Sequence, residues 1–146
     1  MQVEIKIDSS YTEPKIIILT DKMTDEVNAI AKKLSEDPPH LIAGFREDTL
    51  EILEQSDIIR VYANGARVFA TTKHGEYVLR MRLYELEERL DKSCFTRISN
   101  SEIINLKKAK SFDLSITGTI CVSLTNGTIT YVSRRYVAKI KQVLGI

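Results

Sequence analysis

The chain has 146 residues, 43% of them hydrophobic, and its 21 Lys/Arg against 20 Asp/Glu leave a net charge of +1. That length supports one ordinary core with a small appended unit. No apolar run approaches the about 18 residues of a membrane span, and the opening MQVEIKID lacks the basic-then-apolar order of an export signal, so a cytoplasmic protein is expected.

In chain order, MQVEIKID alternates with period two through Val3, Ile5 and Ile7 and predicts a strand. KIIILT predicts a second strand, too apolar to be exposed on both faces. Thr24 is a candidate N-cap, and Asp25 and Glu26 after it suit the positive end of a helix dipole. Val27, Ile30, Ala31 and Leu34 carry helical spacing to about Ser35, and Asp37-Pro38-Pro39 stops the helix. This is a small β-β-α unit, and residues 1–46 are assigned to it as an N-terminal extension for dimerisation or partner binding.

His40 to Arg46 reads as a short strand or connector. From Thr49 on, short β-rich runs are broken by turn signals. Asn64-Gly65 lies between IIRVYA and ARVFATT, and His74-Gly75 precedes EYVLRM, which predicts a three-stranded meander. RLYELEERL places Leu83, Leu86 and Leu90 on one face of a short helix. Asn126-Gly127 marks a further hairpin between ICVSL and TITYV, and Val137, Ile140, Val143 and Leu144 predict a terminal helix. The fold class is mainly β, α+β overall, with residues 47–146 as the principal domain.

Catalytic patterns are absent: there is no Gly-rich phosphate loop, no GxSxG elbow, and no His near a Cys or carboxylate in a recognisable spacing. Glu87 and Glu88, beside Arg89, read as a solvated helix face. His40 and His74 are isolated, so neither a metal site nor a cofactor is expected. Cys94 and Cys121 read as free, small, buried apolar residues. An enzyme is not expected.

Charge is more informative by segment. Residues 1–56 carry 6 Lys/Arg and 12 Asp/Glu, residues 57–91 carry 6 of each, and residues 92–146 carry 9 Lys/Arg and 2 Asp/Glu. All the positive excess lies in the last segment, which suggests an anionic partner there. In FTRISNSEIINL, residues 95–106, apolar residues bracket a polar knot of Arg97, Ser99, Asn100 and Ser101. Arg134 and Arg135 lie where a strand gives way to a helix, and Lys107, Lys108 and Lys110 follow the first cluster. Arg and Asn read guanine and adenine edges by paired hydrogen bonds, and Lys and Ser commonly meet phosphate. The structural alternative is that Arg97 and Asn100 brace a turn and that Arg134 and Arg135 are simply wet.

Residues 57–146 resemble a LytTR-type DNA-binding domain. The features that carry the resemblance are DIIRVYANG, GEYVLRMRLYELEERL, FTRISNSEIINLKKAK and LTNGTITYVSRRYVAKIKQVL, in that order. The pattern R-x-[HS]-x-S-x-[IV]-[IV]-N, followed about 25–30 residues later by an Asn-Gly hairpin and V-S-R-x-Y, is the most specific part. The resemblance implies an elongated fold of several small β-sheets with one or two short helices. It also implies a bacterial transcription regulator that contacts neighbouring major grooves through loops rather than a recognition helix. Asn100 falls at the loop position that reaches bases and Arg135 at the later one. Arg134 matches the Arg of V-S-R-x-Y, and Arg97 and Ser101 match the first motif. Ser99 stands where the family often has His. Asn105 matches the motif's Asn and reads as structural. A third loop from the first hairpin makes Asn64 and Arg67 candidates, and Lys107 is a candidate phosphate contact.

The expected partner is therefore double-stranded promoter DNA with paired repeats, bound by a homodimer at least on DNA. The resemblance does not reach residues 1–56, which are too short for a receiver domain, and Asp21 lacks the acidic neighbours such a domain needs. Stand-alone relatives suggest instead a small membrane-protein regulator encoded nearby. The rival reading is a protein-interaction module whose basic half docks an acidic protein. Single-stranded nucleic-acid binding would need Tyr62, Phe69 and Tyr77 as stacking platforms, but their alternation with apolar residues reads as core.

Overall fold

The computed structural model describes residues 1–35 and 41–146, and its internal contacts divide the chain into two units, residues 1–39 and 40–146. In the first unit helix α1 spans Asp25–Leu34. The Thr24 hydroxyl accepts a hydrogen bond from the Val27 N–H at 3.2 Å, the cap expected from its position. Asp37-Pro38-Pro39 and His40 lie outside the described residues.

The two strands expected ahead of α1 are not formed: residues 1–23 contain no paired strand. A chain reverses at Asp8, whose carboxylate accepts from the Ser10 N–H at 2.9 Å and the Ser10 hydroxyl at 2.7 Å. A two-stranded hairpin by itself is marginally stable at best in water. The apolar side chains of this segment are correspondingly open, with Ile5 84% and Ile7 98% exposed.

In the second unit the strands are β1 (Ile42–Arg46), β2 (Thr49–Leu53), β3 (Ile58–Asn64), β4 (Arg67–Thr72) and β5 (Gly75–Leu79). After helix α2 (Leu83–Arg89) come β6 (Phe95–Ser99), β7 (Glu102–Asn105), β8 (Ala109–Asp113), β9 (Ile120–Leu124), β10 (Ile129–Val132) and helix α3 (Arg134–Leu144). One antiparallel sheet of seven strands runs β2-β1-β5-β4-β3-β7-β6, and a second of three runs β10-β9-β8. β1 pairs with β2 along its length and with β5 at Phe45 and Val78. Residues 42–46 therefore belong to this sheet and not to the N-terminal extension, which moves the boundary back from residue 46.

The meander β3-β4-β5 forms where the turn signals put it, with its first turn shifted by one residue. Asn64 pairs with Arg67, so the two-residue loop is Gly65-Ala66 and not Asn64-Gly65. Only Gly65 has positive φ, +63°, as a turn of the II′ kind requires of its first central residue.

The unit has two apolar cores. One buries Leu83, Leu86 and Leu90 of the α2 segment against Val61, Ala70, Leu79, Phe95 and Ile103. The other buries Ile140 of α3 against Ile98, Ile104, Ile120, Val122 and Val132. Strands β6 and β7 contribute to both, because successive side chains point to opposite faces of the sheet. Cys94 and Cys121 are unpaired and half-buried, less enclosed than expected.

Candidate nucleic-acid interface

The polar knot is a tight turn on a rigid base. Phe95, Ile98, Ile103 and Ile104, expected as anchors, are all buried, and Asn100-Ser101 forms the turn between β6 and β7. Pairing shifts between Arg97 and Ser99, so Ile98 is a bulge. Bulges bend a strand and re-aim its side chains. Here the Ile98 carbonyl accepts the Ser133 N–H at 2.9 Å, and that bond ties the start of α3 to the turn. On the other side the Ala63 N–H donates to the Ser101 carbonyl at 2.8 Å, which joins the β3–β4 hairpin to the same turn.

Three loops thus share one hydrogen-bonded frame: the β3–β4 hairpin, the β6–β7 turn and the β10–α3 junction. Beneath them the Glu102 carboxylate accepts from Thr130 Oγ1 at 2.7 Å and pairs with Arg60 at 3.3 Å, which links β7 to β10 and β3. Asn105 is 2% exposed. Its Nδ2 donates to the Ile58 carbonyl at 2.9 Å and its Oδ1 accepts from the Lys107 N–H at 3.0 Å, the structural role expected of it.

The frame presents side chains unequally. Asn64 and Arg67 are exposed at the two ends of the hairpin turn. Asn100 and Ser101 are exposed at the tip of the second turn, and Ser99 is half-buried with its hydroxyl 3.3 Å from that of Ser101. Arg134 and Arg135 are exposed at the start of α3. The Arg134 guanidinium lies over Gly118, where a Cβ would come within 3.1 Å of its Nε. Lys107 is exposed just after Asn105.

Arg97 departs from expectation. It does not reach outward: its Nε donates to the Ser99 carbonyl at 2.7 Å, its Nη2 to the Asn100 carbonyl at 2.6 Å and its Nη1 to Glu87 Oε2 at 2.7 Å. With its side chain only 13% exposed, Arg97 holds the turn from below. Glu87, which the helix pattern reads as solvated, is its counter-charge.

Sequence reasoning also missed Tyr136. Its hydroxyl stands 3.5 Å from Asn100 Oδ1, and the Arg135 guanidinium sits 5.7 Å from its ring centroid. The ring bridges the two residues expected to read bases. The run Arg134-Arg135-Tyr136 was visible in the sequence, but nothing there announced which loop the ring would meet. Arg82 is exposed and lines a groove of about 500 Å³ with Gly65, Ala66, Tyr84 and Arg97 beside the hairpin.

Arg67, Lys107, Lys110, Arg134 and Arg135 have no ion-pair partner among the described residues. Their charge is open to a polyanion. A second groove, lined by Arg46, Glu51, Glu54, Asp57, His74 and Tyr77, has three carboxylates and is unsuited to one. Tyr77 is buried, and Tyr62 and Phe69 stack on each other with centroids 5.3 Å apart. Tyr62 and Phe69 are half-buried and belong to neither apolar core, so the core reading holds for Tyr77 alone; the stack covers one face of each ring, and the Arg60 guanidinium lies 4.1 Å from the Tyr62 centroid.

The LytTr DNA-binding domain family matches residues 48–145. The chain belongs to the LytTr DNA-binding domain family. Among similar proteins, a Staphylococcus aureus (strain NCTC 8325 / PS 47) protein named an uncharacterized HTH-type transcriptional regulator is 35% identical over 147 residues, covering 100% of this chain and 99% of the relative. A protein of the same name from strain MRSA252 is 34% identical over 147 residues, with the same coverage. A LytTr DNA-binding domain from Bacillus cereus superposes with a TM-score of 0.70 at 22% identity, over 73% of this chain and 97% of that one. The LytTr fold seen there is the mainly β fold described above. In this LytTr chain α2 and α3 are separated by five strands, so the second unit has no two helices joined by a turn. Family membership favours DNA over the rival acidic-protein partner.

Proposed function

We propose that this LytTr protein is a transcription regulator that reads duplex DNA in the major groove through its three framed loops. The observation that carries the reading is the joining of Asn100 and Arg135 through Tyr136 on a hydrogen-bonded base, amid cations without partners. Asn100 and Arg135 contact base edges, with adenine and guanine as their natural partners. Ser101, Arg134 and Lys107 contact phosphates, and Asn64 and Arg67 bring the hairpin to a neighbouring stretch of the duplex. Ser99 sits lower in the turn and orients Ser101. Arg97 positions the turn without touching DNA. A prebuilt frame favours affinity, since each long side chain ordered on binding costs about 0.5–1.5 kcal/mol.

The protein acts by binding alone, as a homodimer at least when on DNA, at paired repeats in a promoter. The S. aureus relatives are named transcriptional regulators, and that role is carried over here. The acidic first unit, residues 1–39, serves association, either with a second copy or with a regulatory partner such as a small membrane protein.

Methylation interference tests the groove assignment. On a bound promoter fragment, methyl groups at guanine N7, in the major groove, should block binding at positions roughly one helical turn apart. Interference confined to adenine N3, in the minor groove, would overturn it.

A further inference from the structure

We infer that residues 2–8 of two copies pair as antiparallel strands centred on Ile5, and that this pairing is the dimer contact of the protein. The inference rests on reading the first unit as an association unit. It does not depend on which loops meet DNA.

The first unit is too small to be self-sufficient. Below about 40 residues a chain usually needs disulfides, a metal or oligomerisation to be stable. Residues 1–39 contain no cysteine, and no metal-binding cluster exists among the described residues. Within the unit α1 has no buried residue, and Val3, Ile5, Ile7, Ile17 and Leu19 are exposed. Residues 2–7 form no helix, turn or paired strand. Association with a second copy would bury these side chains.

The sequence of this segment selects a second copy and also a register. In an antiparallel pair, directly opposed residues point to the same face. Centred on Ile5, the pairing sets Ile5 against Ile5, Val3 against Ile7, and Glu4 against Lys6, each of the last two pairs occurring twice. One face is then wholly apolar, and the other carries two opposite-charge pairs. Sliding by two residues one way opposes Glu4 to Glu4; sliding the other way opposes Lys6 to Lys6 and Glu4 to Asp8. Odd shifts oppose apolar to charged residues and lose the common face. Parallel in-register pairing stacks like charges. Only the Ile5-centred arrangement satisfies both patterns. KIIILT, apolar on both faces, and the Val27, Ile30 and Leu34 stripe of α1 are the surfaces available to cover its apolar side.

Cysteine crosslinking of the full chain tests the register, in a Cys94→Ala, Cys121→Ala background. Opposed Cβ atoms lie about 4.5–5.5 Å apart, close enough for a disulfide after small adjustment. Ile5→Cys should crosslink to itself under mild oxidation, and Val3→Cys should crosslink to Ile7→Cys in a mixture. Asp8→Cys should not, since two such residues would lie about 20 Å apart. A charge swap removes dependence on the thiol. Glu4→Lys and Lys6→Glu should each weaken self-association about tenfold by sedimentation, and mixing the two should restore it, because both opposed pairs are then attractive.

A monomeric parent chain at tens of micromolar would overturn the inference and leave the first unit to a regulatory partner. A dimeric chain in which Ile5→Cys crosslinks no better than Asp8→Cys, or in which the mixture is not restored, would overturn the inference alone.

Discussion

Replacing Arg97 with alanine separates a residue that holds the turn from one that touches DNA. The substitution removes three short hydrogen bonds from one guanidinium, to the carbonyls of Ser99 and Asn100 and to Glu87. A bond to a charged group is worth about 1.5–3 kcal/mol when buried. Two considerations reduce that here. Glu87 is 40% exposed, so its ion pair contributes about 1 kcal/mol or less. The two carbonyls belong to a surface turn, where water replaces a lost donor, and about 1 kcal/mol each is appropriate. The expected loss is therefore about 2–3 kcal/mol of folding stability, read from urea denaturation. Arg97→Lys should recover less than half of it, because one ammonium cannot serve three acceptors in different directions. On non-specific duplex, the slope of log affinity against log salt should be unchanged at temperatures where the variant is folded, since no phosphate contact is lost. A stability loss under about 0.5 kcal/mol with a slope shallower by about 0.9 would refute the reasoning and return Arg97 to the DNA surface.

Other outcomes follow from the same frame. Arg135→Ala should cost about 1–3 kcal/mol on a specific site and little on random DNA; a loss of a few tenths by anisotropy titration would remove Arg135 from base reading. Lys107→Ala should weaken specific and random duplexes alike and flatten the salt slope by about 0.9; a change in sequence preference at constant random-DNA affinity would contradict a phosphate contact. Asn105→Leu should destabilise the unit by about 1–3 kcal/mol, because the buried Ile58 carbonyl loses its side-chain donor; an unchanged denaturation midpoint would show that this carbonyl needs no replacement. The Ser93 hydroxyl and N–H hold the Asp91 carboxyl below its usual range. A lowered native pKa stabilises above the unfolded value near 3.9 and is lost as pH falls through the native one. Asp91→Asn should therefore flatten the dependence of stability on pH below about 4, and an identical profile for both proteins would exclude this contribution.

Local chemistry and periodicity made much of the second unit legible. Leu83, Leu86 and Leu90 gave α2 its buried face, and Phe95, Ile98, Ile103 and Ile104 marked the base of the turn. The hairpin at Asn64-Gly65 was found but displaced by one residue, because Gly65 alone takes the positive φ while Asn64 stays in the ladder. Long-range partners were not legible. The pairing of Arg97 with Glu87 depends on how α2 packs against β6, and the meeting of Tyr136 with Asn100 joins residues 36 positions apart. Residues 1–23 show the converse: the alternation of Val3, Ile5 and Ile7 was legible, but it is not matched by a paired strand.

The central claim is sequence-specific duplex binding through Asn100 and Arg135. The most direct measurement is fluorescence anisotropy over a salt series, on the duplex upstream of the protein's own gene and on a scrambled one, with the parent chain and with Asn100→Ala, Arg135→Ala. The account predicts binding at least roughly a thousandfold tighter to the promoter than to the scramble, with most of that preference lost in the double variant and random binding retained. Equal affinity of the parent chain for both duplexes, or a preference that survives the double substitution, would contradict it.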